Sequence, residues 1–239
     1  MKKKIKVVIF CGGLGTRLSE ETKKIPKPMV KIGQYPIIEH IINIFKRYGH
    51  KDFILALGYK KEIIINYFKK NKFKKLNIQL IDTGKNTLTG TRLLKLKKKL
   101  ITEENFFLTY GDGVSNINLR KLLNFHKRNK SIATITAVRP PARFGELFLN
   151  KNFVKKFDEK NQINSGWING GFFVFNKKIF DYIPSKSCML EKEPIQKLTK
   201  KNKLIAYKHY SFWQCMDTLR DKELLIKLWK SGKAKWQIK

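Results

Sequence analysis

Ile5-Lys6-Val7-Val8-Ile9-Phe10 runs directly into Cys11-Gly12-Gly13-Leu14-Gly15-Thr16-Arg17-Leu18, and nine residues after Arg17 comes Pro26-Lys27-Pro28-Met29. A short, mostly apolar run closed by glycines reads as a buried strand ending in a turn. Glycine has no side chain to hold an anion away from backbone N–H groups. Arg17 and Lys27 place two cations beside that turn. The layout suits a nucleoside triphosphate. Its spacing is neither the G-x-G-x-x-G of a dinucleotide fold nor the G-x-x-x-x-G-K-[ST] of a P-loop.

Outward from this stretch, strand-length apolar runs alternate with helix-length amphipathic ones. Asp52–Leu57, Asn77–Ile81 and Asn105–Tyr110 read as strands, and Pro36–Tyr48, Lys61–Lys70, Leu88–Leu100 and Asn118–Arg128 as helices. This βαβα order predicts an α/β fold, a Rossmann-like, mixed, mainly parallel sheet with helices on both faces. After Ser131 the pattern changes. Ile132–Val138, Phe144–Leu149, Val154–Phe157 and Ile168–Phe175 read as closely spaced strands of a small β-rich extension. Asp181–Lys203 reads as partly helical and Thr218–Ser231 as the last helix. With no linker or repeat in sight, residues 1–239 read as a single domain.

Composition narrows the function classes. Among 239 residues, 52 are Lys or Arg and 18 are Asp or Glu, a net charge of +34. Nucleic-acid binding is one reading. Yet 44 of the basic residues are Lys and 8 are Arg, spread through helices and turns, whereas bidentate recognition of bases and phosphates draws on Arg. A lysine-rich surface that attracts anionic substrates fits better, with no specific nucleic-acid partner. Cys11, Cys188 and Cys215 show neither metal-ligand spacing nor a disulfide framework. No run approaches membrane-span length and no signal-peptide pattern is present, so the expectation is a cytoplasmic protein without a membrane partner.

Strand Asn105–Tyr110 ends in Gly111-Asp112-Gly113. Ligands of open α/β sheets bind beyond the carboxyl ends of the strands. A carboxylate there suits Mg2+, which bridges one or two carboxylates to substrate phosphates. A second candidate is Asp217, which equally reads as the N-cap of the last helix.

G-G-x-G-T-R-L followed by K-P resembles the opening signature of the sugar-1-phosphate nucleotidyltransferase family. Leu18-Ser19-Glu20-Glu21-Thr22, Asp82-Thr83-Gly84, Thr109-Tyr110-Gly111-Asp112-Gly113-Val114, Pro140-Pro141 with Arg143-Phe144-Gly145, Ile168-Asn169-Gly170-Gly171-Phe172-Phe173-Val174 and Met216-Asp217-Thr218-Leu219-Arg220-Asp221-Lys222 extend the likeness almost end to end, toward its glucose-1-phosphate cytidylyltransferases. The resemblance implies CTP and glucose-1-phosphate as substrates, Mg2+ as cofactor, a homo-oligomer, and a product, CDP-glucose, destined for surface polysaccharide. It implies that residues 1–130 mainly bind nucleotide and 131–239 mainly bind sugar phosphate. Gly12, Gly13, Thr16, Arg17 and Lys27 would hold the triphosphate. Thr89, Gly90 and Arg92 would lie near the base, with Gly111 and Asp112 also on the nucleotide side. Asp112 and Asp217 would hold the metal. Lys160 would meet the sugar phosphate, with Glu159, Asn169, Gly170 and Glu193 on the sugar side. Arg17, Lys27 and Lys160 would be the catalytic cations.

The chain departs from the family pattern in three places. Glu159-Lys160-Asn161 replaces Glu-Lys-Pro, Thr89-Gly90-Thr91-Arg92 replaces T-G-G-R, and the stretch between Phe68 and Asn77 is short. A sister enzyme using UTP or another hexose-1-phosphate, a non-catalytic nucleotide binder and a basic nucleic-acid-binding protein remain the alternatives.

Overall fold

The computed structural model describes residues 5–69, 73–140, 146–158 and 166–237. Along the chain come β1 (Val7–Cys11), α1 (Ser19–Thr22), β2 (Lys31–Ile32), β3 (Tyr35–Pro36), α2 (Ile37–Lys46), β4 (Asp52–Leu57), α3 (Lys61–Phe68) and β5 (Asn77–Asp82). They are followed by α4 (Thr89–Lys95), α5 (Lys97–Leu100), β6 (Asn105–Tyr110), β7 (Gly113–Ser115), α6 (Leu119–Arg128) and β8 (Ala133–Val138). The last third holds β9 (Glu146–Asn150), β10 (Phe153–Asp158), β11 (Ile168–Asn176), α7 (Glu193–Lys200), β12 (Leu204–His209), β13 (Trp213–Cys215) and α8 (Leu219–Lys230).

Seven strands form one sheet in the order β12-β8-β11-β6-β1-β4-β5. All its neighbouring pairs are parallel except those of β11, which runs antiparallel to both β6 and β8. The mixed, mainly parallel sheet expected from the sequence is therefore present. It draws strands from both halves of the chain. The separate hairpin of β9 and β10 is the small β-rich extension.

Alternation along β1 explains why both faces need helices. Val7, Ile9 and Cys11 enter one apolar cluster and Val8 and Phe10 the other, as a period of two requires. The first cluster takes Ile37, Ile41 and Phe45 of α2, Leu122 of α6 and Leu225 of α8. The second takes Leu93 of α4, Leu100 of α5 and Leu198 of α7. Each fully buried side chain of this size stabilises the fold by roughly 1.5–3 kcal/mol.

The single helix read over Leu88–Leu100 is two. It breaks at Leu96 (φ −90°, ψ −2°), which is fully buried and points into the second cluster. The edge strand β12 and the β7–β13 ribbon lie outside the strands read from sequence. Among the described residues no helix is long and apolar enough to cross a membrane.

Candidate active site

The carboxyl ends of β1, β4, β5 and β6 converge around the glycine turn. The turn itself is built tightly. A Cβ on Gly12 would lie 2.0 Å from Nη1 of Arg92, so glycine is required there, whereas a Cβ on Gly13 would meet nothing within 4 Å. Gly12 is thus a packing glycine and Gly13 faces open space. Gly15 adopts φ +68°, and the Thr22 hydroxyl donates to its carbonyl at 3.0 Å, which fixes the loop carrying Thr16 and Arg17.

Arg92 sits beneath the turn, 3% exposed. Its guanidinium donates to the carbonyls of Leu57 (2.8 Å), Thr87 (2.9 Å), Gly84 (3.2 Å) and Gly12 (3.4 Å), and to the Thr83 hydroxyl. Five N–H donors in a planar fork can serve such a set of acceptors. Arg92 therefore ties the ends of β4 and β5 to the turn after β1. In this structure its N–H groups are turned to backbone below the site.

Asp112 and Asp217 are remote in sequence and come together through the small ribbon. β7 pairs antiparallel with β13, and the Met216 N–H donates to the Asp112 carbonyl at 2.9 Å. Asp217 is not the cap of α8. Thr218 caps it: its hydroxyl accepts the Asp221 N–H, while the Asp221 carboxylate accepts the Thr218 N–H, a capping box. This leaves the Asp217 carboxylate for the cleft.

Both carboxylates reach the same ammonium group. Lys27 Nζ lies 2.6 Å from Asp112 Oδ2 and also bonds Asp217 Oδ1. Arg17 Nη1 is 2.6 Å from Asp217 Oδ2. Burial alone would pull the Lys27 pKa down. The charge of Asp112 and the hydrogen bonds that the ammonium donates to both carboxylates outweigh it and hold the ammonium above the ordinary lysine value. The ammonium nitrogen marks a point where one cation fits between two hard oxygen donors. That donor set suits Mg2+ with substrate phosphates completing the shell. Among the described residues no cluster of three or more His, Cys, Asp or Glu could hold a metal by itself.

The carboxylates open onto a cleft of about 1000 Å3. Arg17, Asp112 and Asp217 line it together with Asn169, Gly170 and Gly171. Asn169 and Gly170, expected from the resemblance on the sugar side, are presented by an irregular part of β11, where the pairing with β8 shifts register between Asn169 and Phe173. Trp213 is half-buried; it packs against the first cluster and lines this cleft, its indole N–H donating to the Gly170 carbonyl at 2.7 Å. Phe172 lies in the core.

The remaining sequence-read residues are distributed unevenly. Thr16 and Gly111 flank the charged centre. A Cβ on Gly111 would press to 2.8 Å against the Phe10 carbonyl. Thr89 and Gly90 open α4, where their backbone and side chains engage Cys188–Glu191. Glu193 is turned to Lys197 of its own helix at 2.9 Å and does not line the cleft. Glu159 and Lys160 lie outside the described residues. Glu191, absent from the sequence-read set, accepts hydrogen bonds from Thr89 and Tyr110. No sequence pattern singles it out beside Glu193.

The geometry offers little to nucleophilic catalysis by the protein. Cys11 is fully buried and burial pushes its thiol up, and the Cys215 thiol is pushed up to about 12 by burial and by Asp217. Ser115 meets His209 at 3.2 Å, but both are buried and the serine hydroxyl donates to the Phe212 carbonyl.

Residues 6–220 match the nucleotidyl transferase family. The chain is 42% identical to the glucose-1-phosphate cytidylyltransferase of Salmonella typhimurium, over 98% of this chain and 99% of that protein. It is 40% identical to the probable glucose-1-phosphate cytidylyltransferase of Bacillus subtilis, over 98% and 100% of the two chains. The crystal structure of HddC from Yersinia pseudotuberculosis has 26% identity and a TM-score of 0.75, over 94% of this chain and 99% of that one. These matches bear out the family resemblance carried by the sequence blocks, and the chain belongs to the nucleotidyl transferase family as a sugar-1-phosphate nucleotidyltransferase.

Proposed function

We propose that the protein transfers the cytidylyl group of CTP to α-D-glucose-1-phosphate, forming CDP-glucose and pyrophosphate. The observation that carries this reading is the convergence of Asp112 and Asp217 on one point, beside Arg17 and Lys27, in a cleft that Asn169 and Gly170 also line. The choice of CTP and glucose rests on the 42% identity to the Salmonella protein.

A phosphate oxygen of the sugar phosphate forms a bond to the α-phosphorus of CTP as the bond to the β-phosphate oxygen breaks. Pyrophosphate carries away the electron pair. The attacking oxygen is anionic at neutral pH, so no protein nucleophile is required. The difficulty is to bring two anions together in line, and positioning with charge neutralisation supplies the catalysis. Mg2+ on Asp112 and Asp217 would neutralise charge on the reacting phosphates. Gly13 leaves the turn open to phosphate oxygens. Arg17 would meet the departing pyrophosphate, Lys27 the triphosphate near the reacting phosphorus and, as the family resemblance implies, Lys160 the incoming phosphate. Asn169 reads sugar hydroxyls.

The test is pyrophosphate release with Mg2+ and glucose-1-phosphate, with CTP, UTP, dTTP, ATP and GTP side by side. Release with CTP alone is expected. Release with another nucleotide keeps the mechanism and overturns the base assignment. Silence with all five overturns glucose-1-phosphate as the acceptor.

A further inference from the structure

A chain of hydrogen bonds runs from Tyr110, which lines the cleft, to the first turn of α4. Tyr110 is the last residue of β6, two before Asp112. Its hydroxyl donates to one oxygen of Glu191, and the Thr89 hydroxyl donates to the other. Thr89 opens α4 on the nucleotide side. Its Oγ1 also accepts the Leu190 N–H at 2.9 Å, while Thr91 Oγ1 accepts the Cys188 N–H at 2.9 Å and the Gly90 N–H donates to the Cys188 carbonyl at 3.0 Å. The first turn of α4 and the segment Cys188–Glu191 are thus one unit. Thr91, where the family carries glycine, supplies one of those bonds.

On the sugar side Tyr110 is equally constrained. Its ring stands on Gly171, where a Cβ would approach Cδ2 to 2.7 Å. The Gly171 N–H in turn donates to Asn169 Oδ1 at 2.8 Å, and Tyr110, Asn169 and Gly171 all line the cleft. The Tyr110 ring thus backs the turn that holds the Asn169 side chain.

We propose that Tyr110 and Glu191 are positioning residues that set Asn169 for the sugar and link its placement to the nucleotide-side helix through Thr89. The inference deepens the proposed function and rests on its assignment of Asn169 to the sugar. A residue acting this way changes recognition of the sugar more than recognition of the nucleotide. A merely structural residue would lower thermal stability or weaken both ligands together.

Equilibrium binding of CDP-glucose, which fills both sides of the cleft, against CTP, which fills one, separates these cases. Tyr110→Phe is expected to weaken CDP-glucose about tenfold, the worth of one good hydrogen bond, with CTP affinity changed less than about twofold. In turnover assays the same variant raises KM for glucose-1-phosphate more than it lowers kcat. Glu191→Ala is expected to match Tyr110→Phe, and Glu191→Gln, which keeps an acceptor for one hydroxyl, to fall between it and the wild type. Thermal unfolding midpoints check that each variant is folded. Equal loss for both ligands, or unchanged CDP-glucose affinity in folded Tyr110→Phe and Glu191→Ala, overturns the inference and leaves the function standing. Wild-type protein that binds neither ligand overturns the function and the inference with it.

Discussion

Two buried cations lie on either side of the glycine turn, and their surroundings differ in kind. Arg92, below the turn, is met by four carbonyls and a hydroxyl. Lys27, above it, is met by two carboxylates and joined there by Arg17. A cation satisfied by neutral backbone groups from several strand ends is a fastener, since moving it would orphan every acceptor at once. A cation satisfied by carboxylates that converge on one point belongs to a charged centre whose partners can be exchanged for other ions. The family resemblance put both beside the nucleotide. The partners tell them apart.

The sharpest way to break this contrast is to remove one carboxylate. Asp112→Asn or Asp217→Asn should lower turnover on the order of 100-fold to 1000-fold, the usual cost of losing one electrostatic contact at a reacting centre. Folding should be spared, because Lys27 keeps the other carboxylate. Pyrophosphate release and a urea unfolding curve read the two effects separately. Near-normal turnover in both variants would remove the two aspartates from the chemistry.

Exchanging the cations comes next. Arg92→Ala should cost about 3 kcal/mol of stability, since several buried acceptors lose their donor at once. Arg92→Lys should recover little, because a single ammonium cannot span the ends of β4, β5 and the turn. Arg17, whose side chain is 72% exposed, should behave in the opposite way. Arg17→Ala should leave the unfolding midpoint in place and depress turnover. A stable, inactive Arg92→Ala would reverse the assignment and make Arg92 a ligand-binding group.

A third measurement asks whether acid sensitivity resides in the site or the scaffold. His126 lies between α6, β8 and β6, with Nδ1 2.8 Å from the Thr134 hydroxyl and Nε2 3.0 Å from Asn105 Oδ1. Burial pulls its pKa from 6.5 to about 4, and burial likewise lowers His40, His50 and His209. The unfolded chain therefore takes up protons that the folded chain refuses. Stability is whole above about pH 6.5 and falls as pH drops toward 4. His126 alone should account for about 2 kcal/mol lost by pH 5. His126→Gln should lower stability at pH 8 yet flatten the decline between pH 7 and 5. An unchanged slope would place the acid sensitivity elsewhere.

The parallel half was legible because β1, β4 and β6 are buried on both faces and its strands are separated by helices of clear periodicity. Asp52–Leu57 and Asn105–Tyr110 match their readings end for end. The glycine turn with Arg17 and Lys27 was legible for a related reason, that few residue types tolerate its backbone. What escaped depends on long-range pairing. The break at Leu96 is imposed by packing against the second cluster. β12 is half-exposed and carries Lys208, so its apolar signal is weak. The β7–β13 ribbon is three residues on each strand, below what periodicity can detect, yet it brings Asp217 to Asp112. Glu191 and Glu193 differ by two residues in an acidic stretch, and only the fold turns one toward Tyr110 and the other toward Lys197.

The smallest expected effect resolves the one residue whose sequence carried two readings. Asp217 could cap the last helix or serve the charged centre, and the structure assigns the cap to its neighbour. Thr218→Ala should therefore cost about 1 kcal/mol, the ordinary value of an N-cap side chain, with Thr218→Ser restoring most of it. Asp221 accepts the N–H groups of both Asp217 (3.1 Å) and Thr218 (2.9 Å), so the loop is held even when the threonine hydroxyl is gone. Asp217→Ala, which also removes the capping ability that asparagine would keep, should show the reverse, full stability with little turnover. The two substitutions, one peptide bond apart, would then separate what builds the helix from what serves the reaction. If Asp217→Ala also lowered the unfolding midpoint by the worth of a cap, its carboxylate would be holding the helix end, and the charged centre would have to be explained with Asp112 alone.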